Sequence, residues 1–425
     1  MTGAVLELTE ERRRTVAELV ANWVARRSSG DGGEDGTQGV AVRRVEVLRS
    51  GRPGLLDVVA EADGRIAHLV VGIRRPGEEA HVLRVSDDPV LGLVDDGGLG
   101  VAVDALRDAD LAPLVLAAVT GEPPLAEAVT PLADDDDAQV LGFGDRCTLS
   151  VFPWLLAGPH PGVSLLAALD EAGFNHLAAP LALWRRDGQD LGLVQEMLAG
   201  SAGGWALALT SLRDLYASGG APERAGGDFG PEARALGTMT ARMHLALDRA
   251  FGRHSEQIST WIDQVEEGVR AAEPGLLEVA GVTDALDSLR RSGLSAPALR
   301  THGDFHLGRT ARTDQGWVVA DCRPGGIPPG RSEPVVRSPL CDVADLLWSL
   351  HRVATEAAFE RDPTGRVGLA AMAQAWESRN RRAFVAGYLA TPGIAGLVPA
   401  DRELVGSLAA AFELERVAQL SAAAH

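Results

Sequence analysis

The stretch THGDFHLGRTARTDQGWVVADCR, residues 301–323, decides the fold prediction. It places Asp304 in a His-Gly-Asp turn and Asp321 at the end of the apolar run WVVAD. The intervening TARTDQGW is typical of a short hairpin that turns at Asp314-Gln315-Gly316, which would bring both carboxylates to the mouth of one cleft. His-Gly-Asp alone is also compatible with a helix N-cap followed by a turn. The prediction therefore depends on the spaced pair of aspartates.

Two carboxylates in this arrangement suit phosphoryl transfer. In a kinase-type phosphotransferase, one Asp orients the attacking hydroxyl and accepts its proton. A second Asp at a strand end holds magnesium ions, and an Asn or Gln on the same loop completes the metal shell. Asp304 and Asp321 are the candidates for these two roles.

Hydrophobic patterning divides the 425-residue chain into three parts. Residues 1–105 predict an N-terminal cap domain, in which a helix capped by Thr9 precedes a small β-sheet. Residues 106–200 predict a small lobe with a sheet and a helix that has Pro161 near its first turn. Residues 201–425 predict a mainly helical lobe that carries both aspartates.

Within the cap, four short β-runs are predicted, at 40–50, 55–62, 66–75 and 80–87. The acidic run ADDDDA at 133–138 favours a solvated turn over a metal site, because consecutive aspartates point in different directions.

Composition excludes several classes of function. The net charge of −19 disfavours nucleic acid and anionic membranes as partners. No apolar run approaches eighteen residues, and the first residues lack the apolar core of a secretory signal, so we expect a cytoplasmic protein. The 3 cysteines lie far apart, which argues against a disulfide framework or a zinc site.

The sequence contains no lysine, so all 40 residues counted as Lys plus Arg are arginines. A GC-rich genome that favours Arg codons explains this, and escape from lysine-directed modification is the functional alternative. Either way, no mechanism that requires a lysine is available to the chain.

Several stretches together resemble one family, the actinobacterial maltokinases within the aminoglycoside-phosphotransferase-like group. They are HGDFHLG, SPLCDVADLLWSLHRVA, FGPEARALGTMTARMHLAL, LVQEMLAGSAGGWALAL, AWESRNRRAFVAGY and AFELERVA. The resemblance covers roughly residues 140–418. It implies an α+β, two-lobed protein-kinase-like fold of the aminoglycoside phosphotransferase type, with an N-terminal β-rich cap domain.

The resemblance assigns roles residue by residue in the helical lobe. Asp304 matches the family's catalytic base, and Asp321 matches its metal-binding aspartate. Asp342 matches an aspartate that supports the catalytic loop, although a helix N-cap after Ser-Pro-Leu is an equal alternative. His306 would line the same loop, with a packed, hydrogen-bonded histidine as the alternative.

The resemblance also assigns a nucleotide region in the small lobe. Gly142 and Gly144 in GFGDR match a phosphate-covering loop, with an ordinary hairpin turn as the alternative. Glu196 and Met197 would lie beside the nucleotide.

Four positions depart from the family pattern. Arg309 replaces the Gln of the catalytic loop, and Arg323 stands where the family has an acidic run. Ser150 replaces the lysine that grips phosphate, and Ser164 replaces its glutamate partner. A guanidinium cannot ligate magnesium and repels it, so Arg309 and Arg323 alter the metal subsite. The two serines alter the phosphate subsite, because neither carries the charge that the family has there.

These departures predict a degenerate kinase (a pseudokinase) with a binding, sensing or scaffold role, a protein partner, and by analogy a place in trehalose, maltose or α-glucan metabolism. The alternative is an active ATP-dependent sugar kinase that phosphorylates maltose or a smaller sugar such as glucosamine. ATP and magnesium would then be its cofactors, with Asp304 as base and Asp321 on the metal. The positions of Arg309 and Arg323 distinguish the two hypotheses, since guanidinium groups between the aspartates would occupy the metal's place.

Overall fold

The computed structural model describes residues 4–5, 9–28, 40–51, 53–62, 64–78, 80–84, 89–95, 99–224, 227–322, 336–361 and 369–423. The chain forms two compact units, which are described separately. The first contains Met1–Val163 and Ala179–Ala199. The second contains Ser164–Ala178, Gly200–Gly325 and Glu333–His425.

The first unit opens with an antiparallel sheet in the order β1-β2-β3-β4-β6-β5. Its strands are β1 (Ala4–Val5), β2 (Ala41–Arg49), β3 (Gly54–Ala62), β4 (Arg65–Arg74), β5 (Val90–Asp95) and β6 (Leu99–Asp104). Helix α1 (Glu10–Ser28) packs Leu19 and Trp23 into a hydrophobic core with this sheet. Thr9 accepts a hydrogen bond from the Arg12 amide at 3.4 Å, so the predicted N-cap is confirmed.

A second sheet in the same unit has the order β11-β12-β9-β8-β7. Its strands are β7 (Val129–Asp134), β8 (Gln139–Phe143), β9 (Cys147–Val151), β11 (Pro180–Arg186) and β12 (Gln189–Glu196). Between β9 and β11, the short strand β10 (Trp154–Leu155) pairs with β4 of the first sheet. Two helices accompany the sheets, α2 (Ala112–Thr120) and α3 (Pro161–Glu171), and the sequence of α3 crosses the boundary between the units.

The second unit is mainly helical. Its helices are α4 (Gly204–Ser218), α5 (Gly230–Phe251), α6 (Ile258–Ala272), α7 (Val282–Arg291), α8 (Leu340–Arg361), α9 (Leu369–Leu389) and α10 (Arg402–Ala423). Two small sheets lie among them. One has the order β13-β16-β17, from β13 (Ala202–Gly203), β16 (Thr310–Thr313) and β17 (Gly316–Val319), and the other has the order β14-β15-β18, from β14 (Arg253–Gln257), β15 (Ser295–Arg300) and β18 (Val336–Arg337).

The hairpin predicted between the two aspartates is confirmed as β16 and β17, with its turn at Asp314-Gln315. Two predictions about the first unit were wrong or incomplete. The run at 80–87 is not a strand over its described residues, 80–84, where Val82 makes only an isolated bridge to Asp108. Helix α2 was missed because its sequence, APLVLAAVT, has almost no polar face and so gives no amphipathic signal.

The acidic run at 133–138 forms the turn between β7 and β8, and parts of it are paired with arginines. Asp134 accepts hydrogen bonds from Arg27 at 2.9 Å and from Arg107 at 2.8 Å. Asp134 is the last residue of β7, whereas Asp135, Asp136 and Asp137 in the turn that follows are exposed, which agrees with the predicted solvated turn. The division of the chain at residues 105 and 200 stays a prediction. In the described part of the chain, no helix combines the length and apolar character needed to cross a bilayer.

Candidate active site

The loop that carries Asp304 leaves strand β15 and is anchored by buried apolar side chains. Phe305 and Leu307 are fully buried on either side of His306. The Leu307 amide donates to Ser349 Oγ of α8 at 3.1 Å. Because neighbouring side chains and a backbone amide are fixed in the core, the Asp304 carboxylate is held in one place, with 5% of the residue exposed.

Asp342 anchors the backbone of this loop through hydrogen bonds. Helix α8 begins at Leu340, so Asp342 lies in its first turn and not at its N-cap. Its carboxylate accepts from the His302 amide at 2.8 Å and from the Gly303 amide at 2.9 Å. These two bonds fix the backbone immediately before Asp304.

Arg309 lies between the two aspartates. Its Nη2 is 3.0 Å and its Nε 3.3 Å from Asp304 Oδ2, and its Nη1 donates to Asp321 Oδ2. All three side chains are at least three-quarters buried. Burial alone would lower the pKa of Arg309, but the charges of Asp321 and Asp304 raise it, so the guanidinium stays charged.

A second arginine reaches Asp304 from the C-terminal helix α10. Arg416 Nη2 donates to Asp304 Oδ1, the oxygen that Arg309 leaves free. Its Nε is 3.6 Å from Asp345 Oδ1. Both oxygens of Asp304 thus face guanidinium groups. The positive charges of Arg309 and Arg416 balance the negative charges of the two aspartates, Asp304 and Asp321.

This surrounding charge sets the protonation of the carboxyls. Burial would raise the pKa of Asp304, but the hydrogen bond and charge of His306, followed by the charges of Arg416 and Arg309, hold it well below the ordinary value. Asp345 shows the opposite behaviour. Burial, with nearby carboxylates such as Asp342 and Asp304 adding to it, raises its pKa to about 8 despite the charge of Arg416.

The magnesium ions that a kinase fold implies can be tested against these donors. Magnesium is bound in near-octahedral geometry by oxygen ligands. Here the carboxylates of Asp304 and Asp321 are both paired with Arg309, which offers only N–H donors. Among the described residues, no group of three or more His, Cys, Asp and Glu side chains could hold a metal ion. The arrangement does not fit magnesium.

Two further loop positions were singled out in the sequence. His306 is half-buried, with Nε2 at 3.4 Å from Asp304 Oδ2 and Nδ1 accepting from the Gly308 amide at 3.1 Å. It therefore contacts the candidate base and caps the short turn that leads to Arg309. Arg323 lies outside the described residues.

The candidate nucleotide positions lie in the first unit. Gly142 on β8 pairs with Thr148, two residues before Ser150 on β9, so Gly142 and Ser150 share one face of the sheet. A Cβ at Gly142 would crowd Met197 Cε, and Gly144 adopts a positive φ of 53° in the β8–β9 turn.

The backbone beside this face is also paired. The Glu196 amide donates to Ala179 O at 2.9 Å, and the Met197 amide to Arg146 O at 3.1 Å. Ser150 is buried, and a short hydroxyl at this position carries no charge with which to hold phosphate. Ser164 is half-buried on α3, in the second unit.

Arg416 and Asp345 were missed in the sequence as site residues. Asp342 and Asp345 are three residues apart on a helix, a spacing that places both on one face and could have indicated Asp345. Glu415 and Arg416 interrupt the apolar side of α10, between buried Phe412 and buried Ala418. Adjacent charges on an otherwise apolar face are the only local signal for Arg416.

No family model matches the chain. Two curated relatives are similar to it. The glucosamine kinase of Streptacidiphilus jiangxiensis is 28% identical over 308 residues, 66% of this chain and 66% of the relative. The glucosamine kinase of Mycolicibacterium smegmatis is 26% identical over 250 residues, 55% of this chain and 61% of the relative. The chain thus aligns with less than two thirds of the length of either relative.

Solved structures give a longer match. A glucosamine kinase in one crystal form has a TM-score of 0.63 and 21% identity, covering 92% of this chain and 93% of the other. A glucosamine kinase in complex with glucosamine, ADP and inorganic phosphate has a TM-score of 0.60 and 21% identity, with 96% of each chain covered. The predicted kinase-like α+β fold is confirmed. Both curated relatives are named glucosamine kinase. The narrower resemblance to maltokinases stays a prediction.

Proposed function

We propose that this chain is a kinase-fold protein, similar to the glucosamine kinases, that binds a sugar or nucleotide without magnesium-dependent phosphoryl transfer. One observation carries the proposal, the Arg309 guanidinium that pairs with Asp304 and Asp321 at once. A positive charge is then paired with Asp321, the carboxylate that would hold the metal in a kinase, and it comes from the loop position of the Asn or Gln that would complete the metal shell.

The charge balance supports this proposal. Without arginines, the two carboxylates would form a strongly negative site that attracts a divalent cation. With Arg309 and Arg416 in contact, the four side chains sum to no net charge. Magnesium would have to displace a mostly buried ion pair, in which each charge is already compensated, and would meet a guanidinium that repels it.

The proton-transfer role of Asp304 is weakened by the same contacts. A general base works best with a pKa near the operating pH. The pKa of Asp304 lies well below its ordinary value because His306, Arg416 and Arg309 favour the charged form over the opposing effect of burial. A carboxylate stabilised in this way is a poor proton acceptor.

The residue that would hold phosphate in a kinase of this type is also replaced. The chain has no lysine, and buried Ser150 stands on the strand position where the resemblance expects one. Removing one electrostatic contact of this kind typically costs about a hundred- to a thousand-fold in rate. A binding, sensing or scaffold role with a protein partner is therefore the function we propose, in sugar metabolism by analogy only.

An active ATP-dependent glucosamine phosphotransferase is the second candidate. It is favoured by the names of the curated relatives and by the solved complex of a glucosamine kinase with glucosamine, ADP and inorganic phosphate. Glucosamine gains support over maltose from these names. This candidate requires Arg309 to leave both Asp304 and Asp321 when ligands bind.

Release of ADP from magnesium-ATP separates the two candidates. The full chain is assayed with a panel that contains glucosamine, glucose and maltose. We expect no sugar-dependent ADP release above the background without protein. Robust turnover with any of these sugars that disappears in Asp304→Asn would establish the second candidate and overturn the first.

A further inference from the structure

Asp342, His244 and Tyr388 form a row of buried polar side chains behind the 302–304 loop. Asp342 and His244 are 0% exposed and Tyr388 is 1% exposed. His244 Nε2 lies 3.0 Å from Asp342 Oδ2, and His244 Nδ1 lies 2.9 Å from Tyr388 Oη. Asp342 in turn accepts from the His302 and Gly303 amides. The row connects α9, α5 and α8 to the backbone that precedes Asp304.

The protonation state of each side chain in the row decides which atom donates and which accepts in each hydrogen bond. Burial would raise the pKa of Asp342, but hydrogen bonds from the His244 ring and the Gly303 amide lower it, so the carboxylate is ionised and only accepts. His244 Nε2 must therefore carry a proton and donate it. Burial keeps the pKa of Tyr388 well above its ordinary value, so its hydroxyl is protonated.

The Tyr388 proton has one acceptor among the described residues, His244 Nδ1. If the ring were an imidazolium, both of its nitrogens would donate, and the buried hydroxyl proton would be left without an acceptor there. A neutral ring protonated on Nε2 satisfies every group in the row. Asp342 fixes the proton on His244 Nε2, and the Tyr388 hydroxyl keeps the second nitrogen, Nδ1, unprotonated.

A close helix crossing makes this contact geometrically feasible. Helices α5 and α9 meet at Gly237 and Gly387, where an added Cβ would overlap the carbonyl oxygens of Phe384 and Arg234 respectively. His244 lies two turns beyond Gly237, on the same side of α5, and Tyr388 directly follows Gly387. The two glycines let the helices approach until the Tyr388 hydroxyl reaches the His244 ring.

We propose that Tyr388 is a positioning residue for the 302–304 loop, acting through the neutral His244 ring and the Asp342 carboxylate. Its hydroxyl donates to His244 Nδ1, which keeps the ring neutral and holds Nε2–H on Asp342 as the third donor of that carboxylate. Asp342 then holds the His302 and Gly303 amides, and with them the orientation of Asp304. This role does not depend on whether the site transfers phosphate.

The test combines ring ¹⁵N chemical shifts with hydrogen exchange of the loop in the full chain. In the wild type we expect the neutral, Nε2-protonated tautomer at His244, assigned by its loss in His244→Gln. In Tyr388→Phe, which removes only the hydroxyl, Nδ1 has lost its donor, so we expect a second ring proton to appear on Nδ1 beside the one on Nε2. Amides in the 302–304 segment should exchange roughly tenfold faster, as loss of about one buried hydrogen bond implies.

The second tyrosine of the chain supplies the matched control. Tyr216 on α4 is half-buried, and its hydroxyl is 3.5 Å from Ala354 O, outside the row. Tyr216→Phe should leave both the tautomer and the loop exchange at wild-type values. His244→Gln, which keeps an N–H donor for Asp342, should exchange more slowly in the loop than His244→Leu, which has none.

Three results would overturn the proposal. They are an imidazolium or an Nδ1-protonated ring in the wild type, a ring protonation in Tyr388→Phe unchanged from the wild type, or loop exchange in Tyr388→Phe equal to that in Tyr216→Phe. The wild-type measurement does not use Tyr388→Phe, so a folding defect in that variant leaves the proposal open to refutation. Neither readout uses ATP or magnesium, which keeps this test separate from that of the proposed function.

Discussion

Replacing Arg309 with glutamine should destabilise the second unit and create a magnesium response. In the wild type, the guanidinium compensates Asp304, of which 6% of the side chain is exposed, and Asp321, of which 21% is exposed. Removing one partner of a buried ion pair typically costs about 3–5 kcal/mol, because it leaves a buried charge unpaired. Arg416 still pairs with Asp304, and solvent reaches part of Asp321. We therefore expect Arg309→Gln to cost about 2–4 kcal/mol in metal-free buffer.

The same substitution supplies an amide oxygen beside two carboxylates, which is a set of ligands that suits magnesium. A metal that binds only the folded state at a hundred times its Kd stabilises it by about 2.7 kcal/mol. Magnesium should therefore recover most of the loss in Arg309→Gln and leave the wild type unchanged. The assay is urea unfolding followed by tryptophan fluorescence, with and without magnesium.

Arg312→Gln, three residues further along the chain on strand β16, is the matched control. Arg312 pairs with Glu232 at 2.8 Å, and about a third of each side chain is exposed. Such a pair is worth about 0–1 kcal/mol, so this variant should lose little stability and show no magnesium response. Equal stability losses in the two variants, or no magnesium response in Arg309→Gln, would refute the reasoning that Arg309 occupies the place of the metal.

Gly237→Ala and Gly387→Ala should each destabilise the second unit by several kcal/mol, on the order of 2–4, because the added Cβ meets backbone carbonyl oxygens. Gly406→Ala on α10, where a Cβ would meet nothing within 4 Å, should instead stabilise by up to about 1 kcal/mol in urea unfolding; no difference among the three variants would contradict the close crossing. The raised pKa of Asp345, about 8, means that the folded state favours its neutral form, so the stability of the wild type should fall as pH rises from its unfolded pKa, near 4, through 8. Asp345→Asn should flatten this slope in unfolding midpoints measured across the range, while Asp314→Asn in the exposed hairpin turn should keep it; equal slopes in both variants would contradict the burial argument.

The features predicted well from the sequence depend on neighbouring residues. The hairpin between Asp304 and Asp321 follows from the turn residues Asp-Gln-Gly between two apolar runs. The Thr9 cap follows from a side-chain oxygen at the start of a helical pattern. Both signals lie within a few residues of the structure that they determine.

Contacts between distant residues could not be predicted in this way. Arg416 pairs with Asp304, although 112 residues separate them in the sequence. No local sequence pattern specifies which distant side chain a guanidinium on α10 will contact. The resemblance drew attention to Arg309, but its simultaneous contact with two carboxylates depends on the loop geometry. The His244–Tyr388 contact similarly requires two helices to cross at glycines 150 residues apart in sequence.

Titration calorimetry of ATP into the full chain, with magnesium and with EDTA, tests the central claim most directly. If Arg309 stands in the place of the metal, magnesium contributes nothing to the complex, and the heat and affinity measured for ATP will not improve with the metal present. ATP binding that requires magnesium, or that tightens by about tenfold or more when magnesium is added, would contradict the account.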